Sequence, residues 1–541
     1  MLQNPFGIRL PSSKRYNDMR SWPMIVEDQS KVTSFLKHSL SRDGDPVQMM
    51  ETHISRIFLS GDRAYKMKRA VLLPYVDFST LDKRRTACLR EIELNGPTAP
   101  GIYLAMRTIT QAPDGEFAID GEGSAIETIV EMKRFDQSLL LDHVAQSGGL
   151  TAQMMTALAG AIVQFHRRAP IVHDGAGAAN TAAVLKINEA GFATSQVFSP
   201  EEVEELTARF NKRLAGLAGL LDRRAAAGKV RRCHGDLHLR NIFLLDGCPC
   251  LFDCIEFNDN IATSDILYDL AFLLMDLWHR GYVELANLVM NRYLDETGED
   301  DGFAALSFFM AVRAAVRAHV VATQAEGAGA QASALASEAR AYFELAVGLL
   351  QPPRPSLIAI GGLSGSGKST LAEALAPHIG VPPGARILES DRIRKSLYDV
   401  PPETRLPQTA YCPEVSVRVY REISWRSRVI LAQDGAAVAD AVFDRVENRK
   451  LLEFAAREKR CTFSGFWLDA DPGLLWQRVQ TRKGGVSDAT VDVLSQQLSK
   501  KTASIDWIKL NAARRTTELV DEILHQIQAK EPGLAYIAEG I

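Results

Sequence analysis

From Gly362 to Thr370 the chain reads Gly362-Leu363-Ser364-Gly365-Ser366-Gly367-Lys368-Ser369-Thr370, which satisfies G-x4-G-K-[ST]. Glycines at this spacing let backbone N–H groups approach phosphate oxygens, and a helix starting just beyond adds the positive end of its dipole. Lys368 would reach the β- and γ-phosphates of a nucleotide, and the Ser369 hydroxyl would ligate magnesium. The apolar run LIAI before the loop and STLAEALA after it supply the strand–loop–helix context this chemistry needs, against the plainer reading of a Gly-rich turn. Downstream, the strand ARILES is followed by Asp391 and Arg392, then Arg394 and Lys395. A carboxylate at the C-terminal end of a strand beside a phosphate loop can take a proton from an acceptor hydroxyl. A second strand, GAAVAD, ends in Asp440, with Arg445 and Arg449 on the helix expected next. Arg478 and Arg482, four apart on one helical face before Gly484-Gly485, suit a lid that closes over transferring phosphate charge. Surface arginines paired with acids are the alternative.

A second phosphoryl-transfer pattern lies far upstream, in His234-Gly235-Asp236-Leu237-His238-Leu239-Arg240-Asn241. In the protein-kinase pattern a catalytic aspartate precedes a magnesium-binding asparagine by five, and a further magnesium aspartate follows the next two strands. Asp236 and Asn241 have that offset, and Asp253 in LFDCIEF follows the apolar runs NIFLL and CLF. Such a site also needs a strand lysine paired to a helix carboxylate. RAYKMKRAV offers Lys66 and Lys68, which by period two share one face, and Glu91 in RRTACLREIELN is the natural partner. No glycine-rich loop precedes Lys66, so the hairpin THISRIFLSGDR, with Thr52, His53 and Ser55, must supply the phosphate cover. Asp265 and Asp269 are expected to anchor the catalytic loop, and His166 to pack within its helix. Arg313 and Arg317 share one face, and buried ion pairing is the first expectation for them.

The second half, about residues 355–520, resembles the small P-loop kinases of the gluconate kinase, chloramphenicol phosphotransferase and zeta-toxin type. GGLSGSGKST, SDRIRK, VADAVF and the R-x3-R…SDA stretch carry the likeness. The resemblance implies that Asp391 and its neighbouring arginines handle the acceptor. HGDLH with a downstream aspartate in place of DFG resembles the aminoglycoside phosphotransferase and choline kinase families. The branch carrying YK-x-K…DFST…R-x5-E implies Lys66, with Lys68 as runner-up, and makes TIVEMKRF the hinge, with Glu131 and Met132 bordering the adenine. The whole chain looks like the bacterial fusions of these two kinds of domain. That resemblance implies ATP and magnesium as cofactors and a hydroxyl acceptor, a small molecule or a protein, that it does not name. One domain serving as an ATP-sensing or scaffold module for the other is the alternative. Aminoglycoside resistance is weaker: Phe303 to Leu350 balances Arg313, Arg317 and Arg340 against Glu326, Glu338 and Glu344, where a polycationic acceptor wants an acidic pocket.

The elements must place two such sites. At 541 residues one core is unlikely to suffice, and 46% apolar with 24% charged residues is the balance of a soluble globular protein. The formal net charge of −4 argues against a dedicated nucleic-acid surface. No signal core and no uncharged apolar run of about 18 residues is evident, Phe303 to Gln324 being broken by Arg313, Arg317 and His319, so a cytoplasmic, membrane-free chain is expected. Seven scattered cysteines make no disulfide framework, and Cys248, Cys250 and Cys254 with His234 and His238 match no zinc spacing. A strand through LFDCIEF would turn Asp253 and Cys254 to opposite faces. The expected fold is an α+β protein-kinase-like domain over 1–350, with lobes of about 25–132 and 133–350. A linker at 351–356, within LQPPRPS and including Pro353, would lead to an α/β P-loop domain with a parallel sheet over 357–541. The linker and the Ala/Gly stretch around Gly327 are the expected sites of proteolysis.

Overall fold

The computed structural model describes residues 24–41, 46–73, 76–173, 177–326, 328–352, 354–482, 485–499 and 504–530. Gly327, Pro353, Gly484 and the N-terminal residues 1–23 lie outside the described residues. The chain divides into two compact units, one of residues to Asn180 with Asp222–Leu270, the other of Thr181–Leu221 with residues from Ala271 onward.

In the first unit, six antiparallel strands lie in the order Gln48–Glu51, Ser55–Ser60, Arg63–Lys68, Ser124–Lys133, Tyr103–Gln111, Phe117–Ile119. The expected turn SGDR closes the second and third strands, with Gly61 at φ +54. Period-two alternation gives this sheet two apolar faces. Leu59, Ala64, Val130 and Met132 face Cys88 on the helix Leu81–Asn95, while Phe58, Tyr65, Met67 and Ile129 face Val32 and Leu36. Thr80 starts the helix Leu81–Asn95 by accepting from the Lys83 N–H. Further along, the helix Ala152–Arg168 and the hairpin Ile242–Leu245/Cys248–Leu251 flank the HGDLHLRN loop.

LFDCIEF is not a strand. Cys248–Leu251 ends at its first residue, and Asp253 takes φ +60, a left-handed turn that breaks the alternation expected of Asp253 and Cys254. The helices of the second unit include Val283–Thr297, Phe303–Ala325 and Ala332–Leu349, the apolar Phe303–Gln324 run being a buried core helix. Five parallel strands follow in the order Arg386–Glu389, Ala436–Asp440, Ser356–Gly362, Thr462–Asp469, Ile508–Asn511, the sheet of a P-loop α/β fold. Ile358, Ile360, Val438, Phe466 and Leu468 pack against Leu371 and Leu375 of the helix Lys368–Leu375, and against Leu519 and Ile523 of Thr516–Lys530.

Candidate active sites

On the strand Arg63–Lys68 the pleat sends Lys66 and Lys68 to the same buried side. Lys66 Nζ lies 2.7 Å from Glu91 Oε1 and 2.6 Å from Asp253 Oδ1. Lys68 Nζ lies 2.6 Å from Glu91 Oε2 and pairs with Glu256. Burial alone would push both ammonium groups down, but Asp253 and Glu91 at Lys66, and Glu256 and Glu91 at Lys68, outweigh it and hold both protonated. Glu91 is likewise kept well below the usual carboxylate range, the two lysines outweighing burial.

The HGDLHLRN loop hangs from Asp269, whose carboxylate accepts the backbone N–H of His234 (3.1 Å) and of Gly235 (2.8 Å). His166 Nε2 lies 3.2 Å from the same carboxylate, so this helix residue braces the loop anchor. Gly235 has φ +84, and a Cβ there would come within 2.9 Å of Ile255 Cδ1, so glycine is required. His234 Nε2 lies 2.9 Å from the Phe252 carbonyl, tying the loop to the residue before Asp253. Asn241 Nδ2 donates to Asp236 Oδ2 and to the Asp236 carbonyl, both at 2.9 Å, and His238 Nε2 stands 3.4 Å from Asp236 Oδ1. The Asp236 side chain remains 41% exposed and the Asp253 side chain 38%, which leaves both open to a ligand. The sequence-derived set Lys66, Glu91, Asp236, Asn241 and Asp253 therefore falls within one unit, with Lys66 rather than Lys68 touching Asp253.

Other expected residues sit differently. Glu131 gives its carboxylate to Arg107 Nε (2.7 Å) and Arg63 Nε (3.3 Å) and sits in a strand paired on both sides, and Met132 is in the sheet core, so neither side chain is free to border an adenine. Thr52 closes its own turn by accepting from Ser55 N–H at 2.9 Å, while the buried Ser55 Oγ has no partner. Burial and Arg69 push the His53 imidazole down, with Asp236 opposing them. Asp265 pairs with Arg224 at 2.7 Å. The cysteines and histidines weighed for zinc do not converge. Among the described residues the ligand-type trio is His166, Cys233 and Asp269, and Asp269 is already spent on the loop.

In the second unit Gly362, Gly365 and Gly367 all take positive φ, and a Cβ on Gly365 would meet the Leu475 carbonyl at 2.8 Å. Lys368 Nζ curls over the loop to the Leu363 carbonyl at 3.1 Å, and Ser364 N–H donates to Gln497 Oε1 at 2.9 Å. Burial lowers the Lys368 ammonium in spite of Asp440, Asp391 and Glu389 nearby. Ser369 Oγ donates to Asp440 Oδ2 at 2.5 Å and lies 3.5 Å from Glu389 Oε1. Burial, with like charge nearby, pushes both carboxyls above the ordinary range. Thr370 continues the helix Lys368–Leu375.

Asp391 lies in the first turn of the helix Ser390–Ser396 rather than at a strand end. Arg478 Nη1 approaches the Ser366 carbonyl at 3.5 Å. Arg482, expected on the same helix, falls just past its end at Thr481 and bonds the Ser487 and Ala489 carbonyls at 3.0 and 2.7 Å. Arg445 likewise precedes the helix Val446–Glu458 that carries Arg449. Glu389 escaped sequence reasoning, and Asp440 carried no role. Their signal is sheet order: Asp440 ends the strand beside Ser356–Gly362, and Glu389 ends the edge strand next to that one.

Residues 128–309 match the phosphotransferase enzyme family and residues 357–504 match an AAA domain. Uncharacterised proteins of Mycobacterium tuberculosis and Mycobacterium bovis are 28% identical over 470 residues, covering 85% of this chain and 91% of theirs. Among solved structures, the Mycobacterium tuberculosis APS kinase in complex with AMPPNP and APS aligns at 19% identity over 33% of this chain and 99% of its own, with a TM-score of 0.25. A choline kinase from Cryptosporidium parvum aligns at 12% identity over 60% of this chain and 95% of its own, with a TM-score of 0.38. The chain thus joins a segment that matches the phosphotransferase enzyme family to a P-loop segment that matches an AAA domain.

Proposed function

We propose that the protein is a two-site ATP-dependent phosphotransferase, each site passing the γ-phosphoryl group to a hydroxyl acceptor. The observation that carries the reading is Lys66 held at once by Glu91 and Asp253, beside an Asp236 whose carboxylate is oriented by Asn241. At the first site Lys66 binds the nucleotide phosphates, Asn241 and Asp253 hold magnesium, and Asp236 takes the acceptor proton. At the second, Lys368 and the loop amides bind the phosphates, and Ser369 with Asp440 holds the metal. Asp391 serves as base, and Arg478 and Arg482 meet developing charge. Magnesium held by these residues would neutralise charge on the transferring phosphoryl group. The two domains in the full chain are soluble and cytoplasmic in this reading.

Arg394 narrows the second acceptor. Arg394 is 7% exposed, its guanidinium stacks over Tyr411 at 4.7 Å and donates from Nη1 to the Ala410 carbonyl at 2.8 Å, and it has no carboxylate partner among the described residues, with Nε unbonded. A buried unpaired cation beside the base favours an acceptor that carries an anionic group. The test is a screen for phosphorylated products with the full chain and its Asp236→Asn and Asp391→Asn variants. Products lost in one variant alone assign the acceptor to that site, and products unchanged in both would refute the proposal.

A further inference from the structure

Within the second unit the helix Val283–Thr297 packs on the P-loop sheet, and its polar residues reach the elements around Ser369. Asn291 treats the edge strand Arg386–Glu389 as a neighbouring strand would: Oδ1 accepts from Ile387 N–H at 2.7 Å and Nδ2 donates to the Ala385 carbonyl at 3.2 Å. One residue on, Arg292 Nη2 meets Glu373 Oε1 at 2.5 Å, one turn past Ser369 on the P-loop helix. Asp295 receives Arg386 Nη1 at 2.7 Å, Arg292 Nη1 at 3.4 Å and Arg392 Nε at 3.7 Å. Arg392 Nε in turn holds Glu389 Oε2 at 3.0 Å, and the other oxygen of Glu389 faces Ser369 Oγ. In sequence this helix lies in the segment matched by the phosphotransferase enzyme family, yet its charges lead to the serine of the P-loop.

We infer that Asp295 is a positioning residue for the P-loop site: by fixing Arg392 it aims Glu389 at the Ser369–Asp440 corner, where the divalent cation is held. The inference rests on the P-loop reading proposed above. Glu389 keeps its aim at Ser369 only if a partner holds its other oxygen from the side away from the corner. Arg392 does so, and a long arginine holds a direction only when its own guanidinium is fixed. Asp295 fixes it, and Arg386 and Arg292, from the two sides of the packing, fix Asp295. Outer partners of this kind set the orientation of a metal-binding carboxylate and hence the affinity of the site.

The test uses the full chain carrying Lys66→Ala, so that one nucleotide site reports, and a non-hydrolysable ATP analogue titrated calorimetrically at a series of magnesium concentrations. Asp295→Asn is expected to raise the half-effective magnesium concentration about 10-fold or more, with affinity for the metal-free analogue unchanged. Asp295→Glu is expected to restore part of the loss. Asn291→Ala, which cuts packing but no charge, is expected to lower the melting temperature without moving the magnesium midpoint. An Asp295→Asn protein that melts earlier yet keeps the parental midpoint overturns the inference. Should that variant not fold, Arg392→Gln leaves the Arg386–Asp295 pair intact and carries the same expectation, and a parental midpoint there overturns it. Lys368→Ala separates the two levels. If it abolishes analogue binding, a parental midpoint in the other variants refutes only the positioning role; if binding survives it, the P-loop reading falls and the inference with it.

Discussion

Lys66 and Lys68 stand two apart on one strand and share the carboxylate of Glu91, so their second partners divide their roles. Lys66 turns to Asp253, on the open side of the site, and Lys68 to Glu256, which is buried with it. Lys66→Ala is expected to abolish nucleotide binding at the first site at modest cost in stability. Lys68→Ala leaves the buried Glu256 without its lysine and Glu91 with Lys66 alone, and is expected to cost about 3–5 kcal/mol in urea unfolding. Equal stability losses with equal losses of binding would contradict this division. For the reaction itself, Asp236→Asn should keep analogue binding while lowering transfer by about 10²–10⁴, whereas Asp253→Ala should weaken magnesium-dependent binding, both read by calorimetry beside turnover. These residues were legible in the sequence because their spacing along the chain defines them: five from Asp236 to Asn241, and a two-residue period on one strand. Glu389 and Asp440 were not, because what makes them partners of Ser369 is which strands lie side by side. Their chemistry predicts a pH effect. Both carboxyls have folded-state pKa values raised by burial, so the folded protein favours their protonated forms; that stabilisation is full below the unfolded pKa of about 4 and is lost as pH rises through the folded values. Asp440→Asn should therefore flatten the decline of stability between about pH 5 and 8 in the absence of metal, as measured by denaturant midpoints across that range. A decline unchanged in the variant would place its origin elsewhere.

At the scale of elements, period and punctuation gave most of the architecture. The hairpin about Gly61, the strands Ser124–Lys133, Ser356–Gly362 and Ala436–Asp440, and the helix after the P-loop all fall where apolar alternation or glycine placed them. The errors share a cause. LFDCIEF alternates like a strand, but Asp253 must face Lys66, and the left-handed turn that allows this has no sequence mark other than an aspartate. Arg482 was given to a helix that stops at Thr481 because no glycine or proline marks its last turn. The covering of the edge strand Arg386–Glu389 by Asn291 was invisible for a different reason: a side-chain amide standing in for a strand leaves no periodicity at all. An uncovered edge presents unpaired N–H and C=O groups to other chains. Asn291→Ala frees the Ile387 N–H, and the expected cost is about 1–3 kcal/mol with a greater tendency to associate, measured by urea unfolding and light scattering. A Asn291→Ala protein as stable and as monodisperse as the parent would show that the amide contributes nothing to the edge.

At the scale of the whole molecule, the composition break at 351–356 and the division into compact units do not coincide, since the second unit takes in helices from well before the prolines. Two nucleotides per chain are expected all the same, because the Lys66 and Lys368 sites share no ligand. Calorimetry should give a stoichiometry of about two, falling to about one in each single alanine variant, with effects on binding additive to about 0.5 kcal/mol. A parent value of one, lost with Lys368→Ala alone, would make the first site inactive despite its intact HGDLHLRN. The proline-rich segment itself makes the sharper test. A fragment of residues 357–541 loses Asp295 and Asp300, the two carboxylates that meet the buried Arg386, and with them Asn291 at the sheet edge. It also loses Phe303, against which Gly435 packs, and the Asp300 carbonyl that accepts from Gln433 at 2.8 Å. A buried guanidinium without its carboxylates costs several kcal/mol, a large share of the stability of a domain of this size. The fragment 357–541 is therefore expected to aggregate or to melt without a cooperative transition, while a fragment beginning at Ala271 keeps every one of these partners and melts cooperatively. Differential scanning calorimetry of the two decides the point: equal, cooperative melting of both would show that the helices before the prolines are dispensable and that the chain folds in two at Pro352–Pro355.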